Sequence, residues 1–384
     1  MPGENMPPKS VNIAGLTSLR GIAALGIVFH HFIATIFPDL HSFFVPDRAI
    51  SKLYLFVDLF FILSGFVLSH VYCQRFSTGL TSVAYKEFML ARFARIYPVH
   101  LFMLLVFLAF QLVYLMVVAN ANNPELIQET GFGHRRTFAT FLANIFLLQG
   151  FSAVGSWNEP AWSISAEWFA YLLVPFLVVF VHRVNRAMQI LVFMLGLLAI
   201  VAIELINGDL GMWWGGWPMM LRCLAEASMG IVLYQLYLRG MARFFDGRSV
   251  TILFLVSGLS MALPIPHVIT VLLFVFLVLA TTQLKSDSLH WLVHPGLIYL
   301  GMISYSIYMI HWFVRQLILE SSVWFWGDKP GVLLSMYEES VVVLVAVSLV
   351  IALSHLCFHH IEMPWRTRLV SSGRIRRIFG LEDF

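Results

Sequence analysis

Long apolar stretches separated by short polar connections run along most of the chain. Ten of them approach or reach the roughly 17 to 25 residues that a helix needs to cross a bilayer. They are residues 16–37, 52–72, 97–119, 163–181, 188–206, 218–238, 249–263, 266–283, 297–318 and 338–358. The pattern predicts an all-α integral membrane protein with about ten transmembrane helices. Two of these segments, 249–263 and 266–283, are short enough to form a tight hairpin instead.

An eleventh apolar stretch, Phe138–Leu148, is too short to cross and is predicted to be re-entrant or interfacial. An even number of spans leaves both termini on one side of the membrane. Most of the 24 Lys and Arg residues then fall on that same side. Because cytoplasmic segments of membrane proteins are enriched in Lys and Arg, both termini are predicted to be cytoplasmic.

The composition supports a single membrane domain. Apolar residues make up 59% of the chain and charged residues only 12%, whereas a soluble domain is about one quarter charged. We expect a cytoplasmic N-terminal tail (1–15), a membrane domain (16–360) and a basic cytoplasmic C-terminal tail (361–384), with no nucleic acid among the partners. The three cysteines have neither disulfide nor metal-ligand spacing, so no metal is predicted.

Arg20 and His31 lie within the first predicted span. An eleven-residue step returns within about 20° of the same helical face and advances about 16 Å, whereas His30 lies about 100° away. Ionisable groups inside a membrane are costly and mark functional pathways. The alternative is that Arg20 anchors the helix at the interface and His31 is a hydrogen-bonded core residue.

Four titratable residues are predicted to share one layer in the outer half of the bilayer. Counting 1.5 Å per residue from the span ends places His31, Asp58, Glu167 and His311 at similar depths. Either they form one polar cavity, or each makes a separate structural hydrogen bond.

A basic pair is predicted at the cytoplasmic mouth of the third span. Arg92 and Arg95 are three residues apart and would share a helical face. Paired guanidinium groups bind phosphate, although arginines just inside a span also satisfy the positive-inside bias.

Five motifs occur in a fixed order along the chain. They are LRGIAAL (19–25) leading to His31, VDLFFILSGF (57–66), RFARIYP (92–98), WSISAEWFAY (162–171) and SYSIYMIH (304–311). These motifs and their order resemble those of the membrane acyltransferase-3 family, and the resemblance covers residues 16–360. The family's arginine–histidine pair maps onto Arg20 and His31, and its two-arginine motif onto Arg92 and Arg95.

The resemblance implies an enzyme of the bacterial inner membrane that O-acetylates polysaccharides. The expected donor is cytoplasmic acetyl-CoA or another short acyl-CoA. The expected acceptor is a hydroxyl of a carbohydrate or lipid-linked glycan at the outer side, and membrane lipid surrounds the protein. No metal is expected.

Roles follow for individual residues under this interpretation. His31 would be the general base, with Asp58 or Glu167 orienting its imidazole. Arg20, the other member of the family's arginine–histidine pair, would join the arginines that bind the donor. Arg92 and Arg95 would hold the donor phosphates. Ser64 and Gly65 would let the pantetheine arm pass between helices, unless they serve only helix packing. The acceptor side would hold Trp162, Tyr308 and His311.

Two other classes of function remain open at this point. One is a secondary transporter with polar residues at the membrane midplane. The other is a non-catalytic sensor or scaffold derived from an acyltransferase. Slow hydrolysis of acyl-CoA by the purified protein would distinguish an enzyme from both.

Overall fold

The computed structural model describes residues 13–43, 48–119, 136–151, 155–208, 216–285 and 287–381. The ends of both predicted tails and most of the loop 120–137 lie outside this part of the chain. The described residues form helices and connections without any strand, which confirms the all-helical prediction. The long helices are α1 (Ala14–Ile36), α2 (Phe56–Tyr72), α3 (Ser82–Ala119), α4 (Trp162–Arg183), α5 (Arg186–Asn207), α6 (Trp217–Leu238), α7 (Gly247–Ala262), α8 (His267–Thr281), α9 (Ser304–Trp326) and α10 (Met336–Cys357).

Seven helical segments in the described structure are long and apolar enough to cross a membrane. An eighth qualifies only if α9 is joined to the preceding helix Pro295–Met302, from which it is bent by 69°. With 16 and 15 residues, α7 and α8 are shorter than a span usually requires. Every predicted stretch is therefore helical, while the count of ten spans and the side of the termini remain predictions.

The ninth predicted span, 297–318, is broken rather than continuous. At the break, the carbonyl oxygen of Gly301 accepts hydrogen bonds from Arg20 Nη2 at 3.2 Å and Ser304 Oγ at 2.9 Å. A Cβ on Gly301 would lie 1.8 Å from the carbonyl oxygen of Thr17. The absence of a side chain thus lets α1 cross the break in direct backbone contact.

Two helices are longer than predicted, and they extend at the same end of the molecule. Helix α3 has 38 residues and begins at Ser82, not near 97. Helix α10 continues through the π-helical turn Phe358–Glu362 into the helix Met363–Ser371, which packs against α3. Arg92, Arg95 and Arg366 all lie here, and we refer to this region as the basic end. The described part of the predicted C-terminal tail is therefore mostly helical, and its first helix contacts α3.

Helix α4 begins inside the protein and not at its surface. It follows a buried 3₁₀ turn, Glu159–Ala161, and the preceding Asn158 donates a hydrogen bond to the carbonyl oxygen of Met309 at 2.8 Å. The short helix Phe138–Ile145 has eight residues, too few to cross, as the sequence predicts. Its Asn144 is buried, and the Asn144 carbonyl oxygen lies 2.8 Å from His100 Nε2 of α3.

Helices α2 and α6 cross in close contact. A Cβ on Gly65 would lie 2.0 Å from the carbonyl oxygen of Ala227, and one on Gly230 would lie 2.1 Å from that of Ile62. Gly65 therefore serves helix packing, and the prediction that it helps to pass a pantetheine arm is wrong. Small residues at helix crossings are the usual means of close packing in membranes.

Candidate active site

A cavity of about 870 Å³, counting the part open to solvent, lies at the basic end. We refer to it as the basic chamber. Helices α1, α2, α3, α4 and α9 all contribute to its wall. Its polar lining consists of Arg20, Ser64, Arg92, Arg95, Ser163, Glu167, Tyr171, Ser304, Tyr305 and Tyr308. Three guanidinium groups thus converge on one space from helices that are far apart in sequence.

Arg92 and Arg95 have different surroundings. Arg92 Nη2 donates to the hydroxyl of Tyr72 at 3.3 Å, and its guanidinium also lies over nearby aromatic rings. Arg95 forms an ion pair with Glu362, whose other oxygen accepts a hydrogen bond from Ser306 Oγ at 2.7 Å. The two arginines are therefore not equivalent, since a carboxylate already balances the charge of Arg95, and the phosphate-binding role of the pair remains a prediction.

Arg20 completes the set of cations in the basic chamber. Its Nη2 donates to Gly301 at the break before α9, and its buried Nε has no hydrogen-bond partner in the described structure. Arg92 Nε is likewise buried without a partner there. Donors without partners inside a protein are costly. Of the three arginines that line the basic chamber, Arg20 and Arg92 are therefore the two without a carboxylate partner among the described residues.

Glu167 lies in the basic chamber and not beside His31. Its Oε1 accepts hydrogen bonds from Ser64 Oγ at 3.1 Å and from Tyr171 OH at 2.5 Å. The prediction that Glu167 lies in the outer layer assumes that α4 begins at the membrane surface. Because α4 begins in the interior, Glu167 lies deeper and reaches the arginines. Ser64, by contrast, does line the chamber as expected.

A second, smaller cavity adjoins the first, and we refer to it as the histidine chamber. Its volume is about 390 Å³, again counting the part open to solvent. It is lined by Ile27, His31, Tyr54, Val57, Pro160, Trp162, Met219, Arg222 and Tyr308. Val57 and Tyr308 line both chambers. The two cavities therefore meet at a shared wall, with Arg20 on one side and His31 on the other.

The imidazole of His31 is held by a second imidazole. His31 Nδ1 and His311 Nε2 are 2.9 Å apart, and His311 Nδ1 lies 2.7 Å from the carbonyl oxygen of Tyr308. A carbonyl oxygen only accepts, so His311 Nδ1 must carry a proton. In neutral His311 the Nε2 atom then accepts from His31 Nδ1–H. This chain of hydrogen bonds leaves the lone pair of His31 on Nε2.

Neighbouring groups separate the roles of the adjacent histidines. His30 Nδ1 lies 3.0 Å from the carbonyl oxygen of Ile50, and His30 does not line the histidine chamber. The carbonyl oxygen of His31 accepts from Arg315 Nε at 3.3 Å.

Among the described residues, no group of three or more His, Cys, Asp or Glu side chains is placed to hold a metal.

Asp58 is not a partner of His31 either. Its two oxygens accept from Arg222 Nε at 2.7 Å and Arg222 Nη2 at 2.5 Å. Glu226 lies 3.6 Å from the same guanidinium, and all three side chains are almost fully buried. The hypothesis that Asp58 or Glu167 orients the imidazole is therefore wrong. Asp58 is instead bonded to the buried Arg222, and His311 lies beside His31 where the hypothesis places a carboxylate.

The residues predicted on the acceptor side divide into two groups. Trp162 and Tyr308 line the histidine chamber, so a molecule there would meet both. The hydroxyl of Tyr308 lies 2.7 Å from Ser163 Oγ and 3.0 Å from the carbonyl oxygen of Pro160. His311 is fully buried behind His31. It therefore cannot contact an acceptor directly, and that part of the prediction is corrected.

Sequence reasoning missed Arg222, Glu362 and Arg315. Arg222 lies inside a predicted span with Glu226 four residues later, and such an intramembrane pair is itself a signal of function. Glu362 is an isolated acid between the last apolar stretch and a run of arginines. Arg315 follows His311 by about one helical turn. Their partners are distant in sequence, so only the fold reveals the contacts.

The serial motifs thus meet around two adjoining chambers. A sequence model described as an acyltransferase domain, that of acyltransferase-3, matches residues 13–359. The chain belongs to the acyltransferase-3 family. The match takes in every residue that lines the two chambers, whereas Glu362 and Arg366 lie beyond it. No solved structure gives a significant match to the chain.

Two curated relatives align with parts of the chain. "Protein 2 in picA locus" of Rhizobium radiobacter is 42% identical over 95 residues, which cover 25% of this chain and 44% of that protein. "Acyltransferase MdmB" of Streptomyces mycarofaciens is 27% identical over 181 residues, which cover 44% of this chain and 40% of that protein. The alignments span less than half the length of either relative.

Proposed function

We propose that the protein is a membrane O-acyltransferase that moves a short acyl group, in the first instance acetyl, from acyl-CoA to a hydroxyl of a carbohydrate or glycoconjugate. The observation that carries this proposal is the adjacency of the two chambers. One is lined by three arginines and the other by a histidine with a defined lone pair, and Tyr308 and Val57 belong to both.

The donor is assigned to the basic chamber. Coenzyme A carries several phosphate charges at one end and the thioester at the other. Arg20 and Arg92 suit the phosphates because guanidinium groups bind phosphate oxygens bidentately. The pantetheine arm would run past Ser64 and bring the thioester to the wall formed by Tyr308 and Val57. In this arrangement the basic end faces the cytoplasm, where acyl-CoA is made.

The acceptor is assigned to the histidine chamber. His31 Nε2 takes the proton of the acceptor hydroxyl while the hydroxyl oxygen attacks the thioester carbon. The carbon–sulfur bond then breaks, and the sulfur leaves with its electron pair and receives the proton from His31. The positive charge that forms on His31 is stabilised by the hydrogen bond from Nδ1 to His311. An ester and the free thiol of coenzyme A result.

The location proposed for this reaction is the bacterial inner membrane. The acceptor would enter from the side opposite to the basic end, which suits carbohydrate that is modified after export. Trp162 and Tyr54 on the chamber wall provide aromatic surfaces of the kind that pack against sugar rings.

The test is release of free thiol from acetyl-CoA by the purified protein in detergent. Wild-type protein should hydrolyse acetyl-CoA slowly, with water in place of the acceptor. His31→Ala should lower this rate about 100-fold or more, the usual contribution of a general base. His30→Ala is the matched control, since His30 does not line the chamber, and it should stay within about twofold. Equal loss in both variants, or no thiol release by wild-type protein, would refute the proposal.

A further inference from the structure

The helix that continues α10 beyond Glu362 returns the chain to the basic chamber. The helix Met363–Ser371 packs against α3. Farther along, Arg376 Nη2 lies 3.5 Å from Glu87 Oε1, and the ring of Phe379 lies 6.4 Å from that of Phe93. These contacts fix the segment against the part of α3 that holds Arg92 and Arg95. The segment lies beyond the residues that match the family.

Arg366 is the residue of this segment that faces the chamber arginines. It follows Glu362 by four residues, so both side chains lie on one helical face. That face is directed to α3, because Glu362 forms the ion pair with Arg95. Arg366 lies close enough to Arg95 and Arg92 for their charges to repel it, and close enough to Glu362 to be attracted by it. Arg366 makes no hydrogen bond or ion pair with any described residue.

The charges around the basic chamber do not balance. Arg20, Arg92, Arg95 and Arg366 bring four guanidinium groups together, whereas Glu362 and Glu167 provide only two carboxylates. Partly buried cations of like charge oppose each other unless an anion lies between them. Because the excess of positive charge is gathered from three separate parts of the chain, the fold itself creates a site for a multiply charged anion.

We propose that Arg366 binds a phosphate group of the donor, together with Arg92 and Arg20, while Arg95 is held by Glu362 as part of the wall. This inference rests on the proposed function. Arg366 lies on the segment outside the helices that line the chamber, so it would take a phosphate far from the thioester. It therefore selects coenzyme A itself over carriers that present only a pantetheine arm.

The first test compares two acyl donors on the full-length protein. For acetyl-CoA, Arg366→Gln should lower kcat/KM about tenfold, mainly through KM, as expected for loss of a hydrogen bond to a charged group. For acetyl-pantetheine, which lacks phosphates, kcat/KM should stay within about twofold. Arg368→Gln is the matched control, because Arg368 is exposed on the same helix and packs on Trp365. Equal loss with both donors, or unchanged kcat/KM for acetyl-CoA, would overturn the inference.

A binding measurement separates this inference from the proposed function. Calorimetry should show that wild-type protein binds free coenzyme A and that Arg366→Gln weakens this binding about tenfold, with Arg366→Lys intermediate. Equal binding by wild-type and Arg366→Gln protein would overturn the role of Arg366 and leave the acyltransferase proposal intact. If wild-type protein neither binds coenzyme A nor releases thiol, the proposed function fails. Inorganic pyrophosphate is then the probe: binding that depends on Arg366 supports the anion site, and binding independent of it, or none, overturns the site.

Discussion

The hydrogen bond between His31 and His311 offers a quantitative prediction. Replacing His311 by Ala removes the acceptor for His31 Nδ1–H, which lies 2.9 Å away. The bond is between neutral groups in the resting enzyme, but His31 becomes charged as it takes the proton. A hydrogen bond to a charged group contributes about 1.5 to 3 kcal/mol. His311→Ala should therefore lower kcat roughly 10- to 150-fold, with KM for acetyl-CoA within about twofold.

The assay for this prediction is thiol release from acetyl-CoA over a range of donor concentrations, with His311→Gln as the conservative variant. The glutamine side-chain oxygen can accept from His31 Nδ1–H, so this variant should be at least about fivefold more active than His311→Ala. Thermal unfolding in detergent provides the control for folding. If His311→Ala keeps wild-type kcat, or if Gln is no better than Ala at equal thermal stability, His311 does not position His31.

Four further predictions concern the basic chamber and helix packing. Gly65→Ala should lower the unfolding temperature sharply, because the new Cβ would lie 2.0 Å from a carbonyl oxygen of α6. Gly258→Ala is the control and should be tolerated, because no atom lies within 4 Å of its Cβ position. Equal unfolding temperatures of the two variants would contradict the packing account. Glu167→Gln should change KM for acetyl-CoA but leave the pH dependence of kcat unaltered, and a shifted pH profile would restore Glu167 as a partner of His31. Arg92→Gln should raise KM for acetyl-CoA at normal stability. Arg95→Gln should lower the unfolding temperature, since it leaves a buried carboxylate unpaired, and unchanged stability would argue against this ion pair.

The hydrophobic pattern was sufficient to locate the helices but not their ends. Helix α3 was predicted to start near 97 because residues 82–96 include charged side chains. Those side chains have partners in the fold, such as Glu362 for Arg95, so the helix continues through them. Likewise, the depth of Glu167 was misjudged because hydropathy does not show that α4 starts inside the protein.

Local spacing predicted the site residues on one helix better than the contacts between helices. The eleven-residue step favours His31 over His30 from the periodicity of α1 alone, and of the two only His31 lines the histidine chamber. The partner of His31 lies 280 residues away. The depth count places His31 and His311 in one layer, but it does not indicate which side chains of that layer are bonded, and the hypothesis of a carboxylate partner for His31 is wrong.

The central claim is that one acyl group passes from the basic chamber to the histidine chamber and on to a glycan. Mass spectrometry of surface glycans, from cells that carry or lack the gene, tests this claim most directly. Cells with wild-type protein or His30→Ala should contain glycans heavier by one acyl group, and this increment should be absent with His31→Ala and reduced with Arg92→Gln. Identical glycan spectra with and without the gene, or a full increment with His31→Ala at equal expression, would contradict the account.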